Sequence, residues 1–456
     1  MPRLRPLAAG IRAACIPAGL LFVLGTTTSL AGPEGGKVVG GEGNINKPDA
    51  NTTNIQQQSH NMAIDWNSYN LNKNETVNYR QPSSTAHALN RIYDQNPSQI
   101  HGAINANGRV TLVNPNGIFF SPTASVNVGA LTAAGHDVSV EDFMNGRMKF
   151  RAPEGQSAGA VINQGLLQAA TGGSINLIGG SVRNEGLIIA SAGQVNLVAG
   201  DQVTMDFDGD GLVRFAIDKE VIENAEGVDS AISNTGEISA DGGTVILSGR
   251  AAQNVFSHVV NNEGVIRAGR IENQGGKIVL AGTGGSQSSV INTGTLDASA
   301  GDATSDGGTV EITGDTIEQQ GVIKADSTGG DGGTIKLVAE DTNIISGDAV
   351  MSATSSPLPV GEGQGEGDED DSSSPLPLGE GQGEGGKGGS VHVLGDKVAL
   401  LDASTIDVSG ELGGGEVLIG GDFQGKPVPE RYQERLRIRT PAGPMSVATP
   451  PSRLMP

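Results

Sequence analysis

Residues able to do chemistry are sparse and scattered in this 456-residue chain. The six histidines, His60, His87, His101, His136, His258 and His392, stand far apart, and no His-Glu-x-x-His pattern sets two of them on one helical face for zinc. No Gly-x-Ser-x-Gly elbow presents a serine nucleophile. Cys15 is the sole thiol and falls in an N-terminal apolar run, so a mature chain lacking that run has neither a thiol nucleophile nor a disulfide. Asp206-Phe207-Asp208-Gly209-Asp210-Gly211 begins like an EF-hand loop. The twelfth position of that loop is Ile217, where calcium needs a bidentate glutamate, so an exposed acidic turn is the plainer reading. Gly381 to Gly386 matches Gly-x-Gly-x-x-Gly, and Gly386-Lys387 ends a P-loop-like spacing, but no strand precedes either and the Ser or Thr is missing. The expectation is no catalytic set, no metal and no cofactor.

Charge narrows the partners. With 51 acidic against 29 basic residues the formal net charge is -22, which repels phosphate backbones and anionic membrane surfaces and argues against nucleic-acid binding. Residues 1–31 read as a signal peptide. Arg3, Arg5 and Arg12 make a basic start, Ala13 to Leu24 is apolar but too short to span a bilayer, and Ser29-Leu30-Ala31 supplies the small residues a signal peptidase reads.

The elements that must position any site are β-strands. In Asn105 to Leu131, Asn114-Pro115-Asn116-Gly117 has the residue order of a type I turn, with Asn first, Pro at i+1 and Gly at i+3. Val110 and Leu112 alternate with Arg109 and Thr111 before it, and Ala124, Val126, Val128 and Ala130 alternate with polar residues after it. Trp66 to Leu71 and Val77 to Arg80 alternate in the same way. Ser84 to Ile92 fits either one or two helical turns capped by Ser84 or an extended run, and sequence leaves both open.

Beyond Phe150 the chain repeats. Asn-x-Gly followed by a short apolar run occurs at Asn163, Asn184, Asn234, Asn262 and Asn292, with a degenerate copy at Gln319-Gln320-Gly321. A Gly pair leading into an alternating strand occurs at Gly172, Gly242, Gly307, Gly332 and Gly388. Asn and Gly tolerate φ > 0, which predicts sharp corners at both motifs. One such coil leaves its backbone edges unpaired, and stacking coils at ~4.8 Å pairs them. The prediction is an all-β, right-handed parallel β-helix (solenoid), with recurring Asn at one corner forming an axial amide ladder. With 3% aromatics no blade signature supports a propeller.

The expected organisation is a signal peptide over 1–31, a flexible lead-in over 32–43, and an N-terminal domain over 44–260 that merges into the β-helix. β-Helical repeats follow over 261–350, then a disordered Pro/Gly/Glu-rich insertion over 351–387, final coils over 388–425 and an irregular basic Pro-rich tail over 426–456. The insertion carries SSPLPVGEGQGEG and SSPLPLGEGQGEG, a near-verbatim duplication. The tail reads either as sequence left by an early stop or as a Pro-rich cap on the last coil's exposed edge.

Asn44 to Phe150 resembles the N-terminal secretion domain of filamentous haemagglutinin-like exoproteins, the exported partners of two-partner secretion systems. The resemblance is carried by Asn61-Met62-Ala63-Ile64-Asp65-Trp66, Gln81-Pro82-Ser83-Ser84, Ala88-Leu89-Asn90-Arg91-Ile92, Pro97-Ser98-Gln99-Ile100-His101-Gly102 and Asn114-Pro115-Asn116-Gly117-Ile118, with Val126-Asn127-Val128-Gly129 and Asp142-Phe143. Asn163 to Gly425 is similar to the β-helical continuation of that family. The resemblance implies a chain that leaves the cytoplasm of a Gram-negative bacterium through Sec. It is then bound in the periplasm by the POTRA domains of a dedicated outer-membrane β-barrel transporter through strand addition, and released to the medium or the cell surface. It assigns Asn114, Pro115, Asn116, Gly117 and Ile118 to transporter recognition or secretion, through contact or by shaping the domain, with Trp66, Gln81, Pro82, Asn90, Arg91, Gln99 and Ile100 as supporting residues. It further implies an adhesin or haemagglutinin with a host-cell or bacterial-surface glycan or protein receptor. The chain departs from the family in being short, without a long shaft or a C-terminal toxin module. The alternative is a β-helical polysaccharide-cleaving or carbohydrate-binding protein.

Overall fold

The computed structural model describes residues 32–207, 213–224, 227–284, 289–356 and 385–420, with two short strands, Ile438–Arg439 and Met445–Ser446. The signal-peptide reading, the core of the Asp206–Gly211 turn and most of the duplicated insertion and basic tail lie outside the described residues. All that follows belongs to the unit that begins at Ala31.

The unit is a parallel β-helix. One face stacks Asn61–Trp66, His87–Ile92, Arg109–Val113, Ala130–Ala134, Ser174–Gly179, Gln194–Ala199, Thr244–Ala251 and Lys277–Gly284, each parallel to the last. A second stacks Ser98–Ile100, Ile118–Phe120, Val161–Asn163, Val182–Asn184, Ser230–Asn234, His258–Asn262 and Ser289–Asn292. The third runs from Gly43–Asn46 to Thr405–Asp407. Thr309–Gln319 and Thr334–Ile345 serve both the first and second faces without a break. Alternate Val, Ile, Leu and Ala enter one continuous core, and the large aromatics Trp66, Tyr69, Tyr79 and Phe120 fill its first coils.

The amide ladder forms as the repeat predicts. Asn163, Asn184, Asn234, Asn262, Asn292 and Gln319 occupy one register, and each side-chain NH2 donates to the next carbonyl at 2.9, 2.8, 2.7, 2.7 and 2.8 Å. The same register holds Ile100 and Phe120 before Asn163, and Ile345 and Leu400 after Gln319, so the polar column is closed at both ends by apolar residues.

The glycines of Asn-x-Gly are there for another reason than the one sequence suggests. Gly186, Gly236, Gly264, Gly294 and Gly321 are not among the positive-φ residues. A Cβ on each would stand 2.0–2.3 Å from the carbonyl oxygen of the glycine one coil earlier. Close approach of stacked backbones, and not a left-handed turn, excludes every other residue from that column.

Two further departures, and one reading that sequence left open, concern the N-terminal part. The stretch read as a flexible lead-in forms the strand Lys37–Gly40, antiparallel to Asn61–Trp66, and at its end begins Gly43–Asn46, antiparallel to Thr52–Gln57; together they cover the first coil's edge. Of the two readings left open for Ser84 to Ile92, the extended one holds, with the strand beginning at His87. Of Trp66 to Leu71 only Trp66 is in a strand, and Ser68 and Leu71 make isolated bridges. At the other end Ile438–Arg439 and Met445–Ser446 pair antiparallel with Glu416–Ile419 and Thr405–Asp407.

A second hydrophobic cluster lies outside the coil. The short helix Val140–Met144, capped by Ser139, and the antiparallel strands Met148–Arg151, Gln202–Phe207 and Val213–Lys219 pack on the first face. They bury Leu89, Val113, Ala134, Ile178 and Val198 against Phe143, Phe150, Val203 and Met205. Ser174–Gly179 and Gln194–Ala199 are consequently buried on both sides. Their outward Asn176 and Asn196 pair with each other at 2.8 Å.

His87 and His136 lie beneath this cover. Burial, with Arg109 and His60 adding to it, lowers His87 to about 3, and burial lowers His136 to about 4. Their Nε2 atoms meet Thr111 Oγ1 at 2.7 Å and the Gly200 carbonyl at 2.9 Å.

Two outcomes follow from this packing. Asn234→Ala strands the Asn184 NH2 and the Asn262 carbonyl and should cost about 1–3 kcal/mol for each stranded group in chemical unfolding, whereas outward Ser233→Ala should stay within about 0.5 kcal/mol. Equal losses would remove the ladder as a stabilising element. For the histidines, the unfolded chain binds protons below about pH 6.5 that the folded chain refuses. Above about pH 7 they leave stability unchanged, and from there it falls as pH drops toward their folded values, by roughly 1–2 kcal/mol per histidine at pH 5.5. Unfolding curves of the double variant His87→Gln, His136→Gln should lose less between these two pH values than the parent.

Candidate functional site

The Asn114–Gly117 corner is a closed turn braced from neighbouring coils. Gly117 N–H donates to Asn114 O at 2.9 Å, the i to i+3 bond, and Asn116 N–H donates to Asn114 Oδ1 at 2.9 Å. Asn114 is fully buried, and its NH2 donates to Asn96 O at 3.1 Å and Ser98 Oγ at 3.0 Å on the preceding coil. Asn116 is exposed, and its NH2 donates to Asp94 O at 2.8 Å. The following coil closes the other side, where Ile118 N–H donates to Ala160 O at 2.9 Å.

Gly117 is at φ +105°, and a Cβ there would lie 2.7 Å from Ala160 O. The facing Gly159 is equally constrained, because its Cβ would lie 2.4 Å from Gly117 N and 2.6 Å from Pro115 O. Two glycines on adjacent coils therefore let the turn seat against the chain above it. Gly159 was not singled out by sequence. Its only signal is the small-residue run Ala158-Gly159-Ala160 between two strands.

The remaining motif residues divide into interior and surface. Asn90 is buried, its carbonyl accepting from Trp66 Nε1 at 3.0 Å and from Tyr79 OH at 2.9 Å, and its NH2 donating to Thr111 O at 3.1 Å. Tyr69 and Tyr79 share a 3.0 Å hydroxyl contact, and burial raises both phenols well above their ordinary value. Gln81 donates to Gln57 Oε1, Ala86 O and Arg109 O at 3.0–3.1 Å, tying three coils together. Arg91 makes a fork on Asp137 at 3.0 and 3.1 Å and lies 5.3 Å from the Tyr93 ring centre. Burial works against the Arg91 charge, but the Asp137 carboxylate outweighs it and raises the guanidinium. Ile100 and Ile118 are core residues. Pro82, Gln99 and Asn116 are exposed and Pro115 half-buried.

The structure thus brings Asn114 to Ile118 together with Gln99 and Ile100, whose strand Ser98–Ile100 pairs directly with Ile118–Phe120. Trp66, Asn90, Gln81 and Arg91 belong to separate interior and rim networks. Beside the corner is a cleft of ≈ 290 Å³, bordered by Pro115, Asn116, Gly155 to Gly159, Gly180, Ser181, Glu223, Asn224 and Phe256. Six of these twelve residues are Gly, Ala or Ser. Asp201 underpins it, accepting from Ala158 N–H at 3.1 Å, and burial raises its carboxyl. Among the described residues no three His, Cys, Asp or Glu side chains converge as a metal site.

A profile of the TPS secretion domain matches residues 33–293. A heme/hemopexin-binding protein of Haemophilus influenzae is 34% identical over 256 residues, covering 55% of this chain and 27% of that protein. A second heme/hemopexin-binding protein of Haemophilus influenzae is 29% identical over 271 residues, covering 55% and 28%. The chain spans little more than a quarter of the length of these curated relatives. The crystal structure of the HMW1 secretion domain from Haemophilus influenzae is similar at a TM-score of 0.66 and 24% identity, over 85% of this chain and 94% of that one, a likeness of fold.

The geometry orders three substitutions by cost. Gly117→Val combines positive φ with a backbone clash and should lose about 1–3 kcal/mol or more. Asn114→Ala removes three bonds made from a buried position, one of them to buried Ser98, and should lose about 1–3 kcal/mol, while exposed Asn116→Ala should lose about 0.5–1.5 kcal/mol. Thermal unfolding of the three purified variants checks the order, and an Asn116 variant as unstable as the other two would contradict it.

Proposed function

Because the chain belongs to the TPS secretion-domain family, we propose that its Asn114–Gly117 corner and the adjoining cleft are the surface a dedicated outer-membrane transporter reads. The protein is a two-partner secreted exoprotein, carried through Sec and then across the outer membrane to the cell surface or extracellular space. The observation that carries the proposal is the division within the motif. Most motif side chains are interior, yet Asn116 and Pro115 stand at the surface beside a cleft of which six of twelve lining residues are Gly, Ala or Ser. Small residues along the cleft leave room for an extended segment of the transporter's POTRA domains, which reads Asn116 and Pro115 at its edge.

Once exported, the protein is a surface exoprotein of adhesin or haemagglutinin type. Its stacked β-faces offer a repetitive surface, and no catalysis is assigned to it. A second reading of the receptor rests on the relatives named as heme/hemopexin-binding, and it places heme or hemopexin where the first has a cell-surface glycan or protein.

Export tests the proposal. A chain ending at residue 293 should reach the medium only when the transporter is present. Retention of that chain in the periplasm while the full chain is exported would contradict the assignment. Asn116→Ala should lower export severalfold while remaining folded. For the receptor, binding of the secreted protein to immobilised hemopexin, measured against binding to cells, separates the two readings. Incubation with pectate or alginate, with and without calcium, should release no new reducing or unsaturated ends above a heat-killed control.

A further inference from the structure

We propose that hydrolysis between Ala31 and Gly32 frees an α-ammonium group that the buried Glu75 carboxylate holds, locking the first coil of the mature chain. Glu75 is 3% exposed. Its Oε2 accepts from Gly32 N–H at 3.0 Å and from Asn72 N–H at 2.7 Å, and its Oε1 accepts from the Asn72 NH2 at 2.9 Å. A buried carboxylate surrounded by neutral donors is costly, and a cation at the end of one of those bonds relieves the cost. The residue that supplies the Gly32 bond is the one that would become the N-terminus if Ser29-Leu30-Ala31 is read by a signal peptidase.

Gly32 is placed as a terminus would be. It is buried, at φ +75°, and a Cβ on it would lie 3.3 Å from Thr53 Oγ1 and 3.8 Å from Lys47 Nζ. Its nitrogen is held in place by the bond to Glu75. The next residues dock in turn, with Glu34 N–H donating to Ser68 O at 2.9 Å and Asn67 N–H to Glu34 O at 2.9 Å.

The step is an ordinary hydrolysis. Water adds across the Ala31–Gly32 amide, the new carboxylate remains on Ala31, and the Gly32 nitrogen leaves as an amine and takes up a proton. Before the cut the donor to Glu75 is a neutral amide, and after it a full positive charge. Cleavage would thus strengthen the contact that ties the chain's start to the Asn72–Glu75 turn. This inference does not depend on which receptor the exported protein binds.

The full-length chain, expressed with residues 1–31 and recovered after export, tests it by intact mass and N-terminal sequencing. Gly32 as first residue is expected, and a different first residue overturns the proposal. Native-state acylation of the α-amine near neutral pH then reads the contact. If Glu75 raises the amine by about one pKa unit, its labelling is about tenfold slower in the parent than in Glu75→Gln. Equal labelling overturns the proposal. A mature chain that retains Ala31 as its first residue keeps Glu75 but moves the ammonium one residue outward, and should label at the faster rate. That comparison stands even if Glu75→Gln fails to fold, and slow labelling of the Ala31 form would also count against the contact.

Discussion

Every coil of this protein leaves its strand edges unsatisfied until another coil lies on it. Backbone hydrogen bonding between coils is therefore the constraint from which the rest follows. It fixes a short repeat rise, and the short rise forces the backbones at the corners close together. The column from Gly165 to Gly321 records that demand, since a Cβ at the later positions would enter the carbonyl of the glycine below. It also makes the buried amide ladder possible. Asn side chains one coil apart meet at 2.7–2.9 Å, so a polar group in the core finds its partners in its own repeats.

The same constraint explains the corner at Asn114. It lies in the early coils, where the interior changes from aromatic residues to the Val, Ile and Leu layers, and it precedes Asn163, where the ladder begins. Asn114 does for one turn what the ladder does for six coils, satisfying Asn96, Ser98 and Asn116 from a buried position. What remains at the surface is small, and a partner that recognises this region has Asn116, Pro115 and the small residues of the cleft to read. Buried Asn90, Gln81 and Trp66 hold the scaffold that presents them.

Much of this was legible in the sequence. Recurring Asn-x-Gly and Gly-Gly pairs gave the repeat, and the order Asn-Pro-Asn-Gly gave the turn. The outer cluster was not legible, because Ser174 to Gly179 alternates like a strand with one wet face. Only the return of distant Val203 and Met205 buries Ile178. The strands at Lys37–Gly40 and Gly43–Asn46 were hidden by the glycines in and beside them, and Gly36, just before the first, leaves room for the Trp66 ring. Glycine's role in the Asn-x-Gly column was misread for a related reason. A positive φ is a property of one residue, whereas close stacking is a property of the pair one coil apart.

The central claim is that the Asn116 surface contacts the transporter during export. Site-specific photo-crosslinking measures this most directly, with the cross-linking residue placed at position 116 and, as a control, at position 341 on the later coils. The account predicts a transporter adduct at its POTRA domains from position 116 and none from 341. Adducts of equal yield from both positions, or none from 116 while export proceeds, would contradict it.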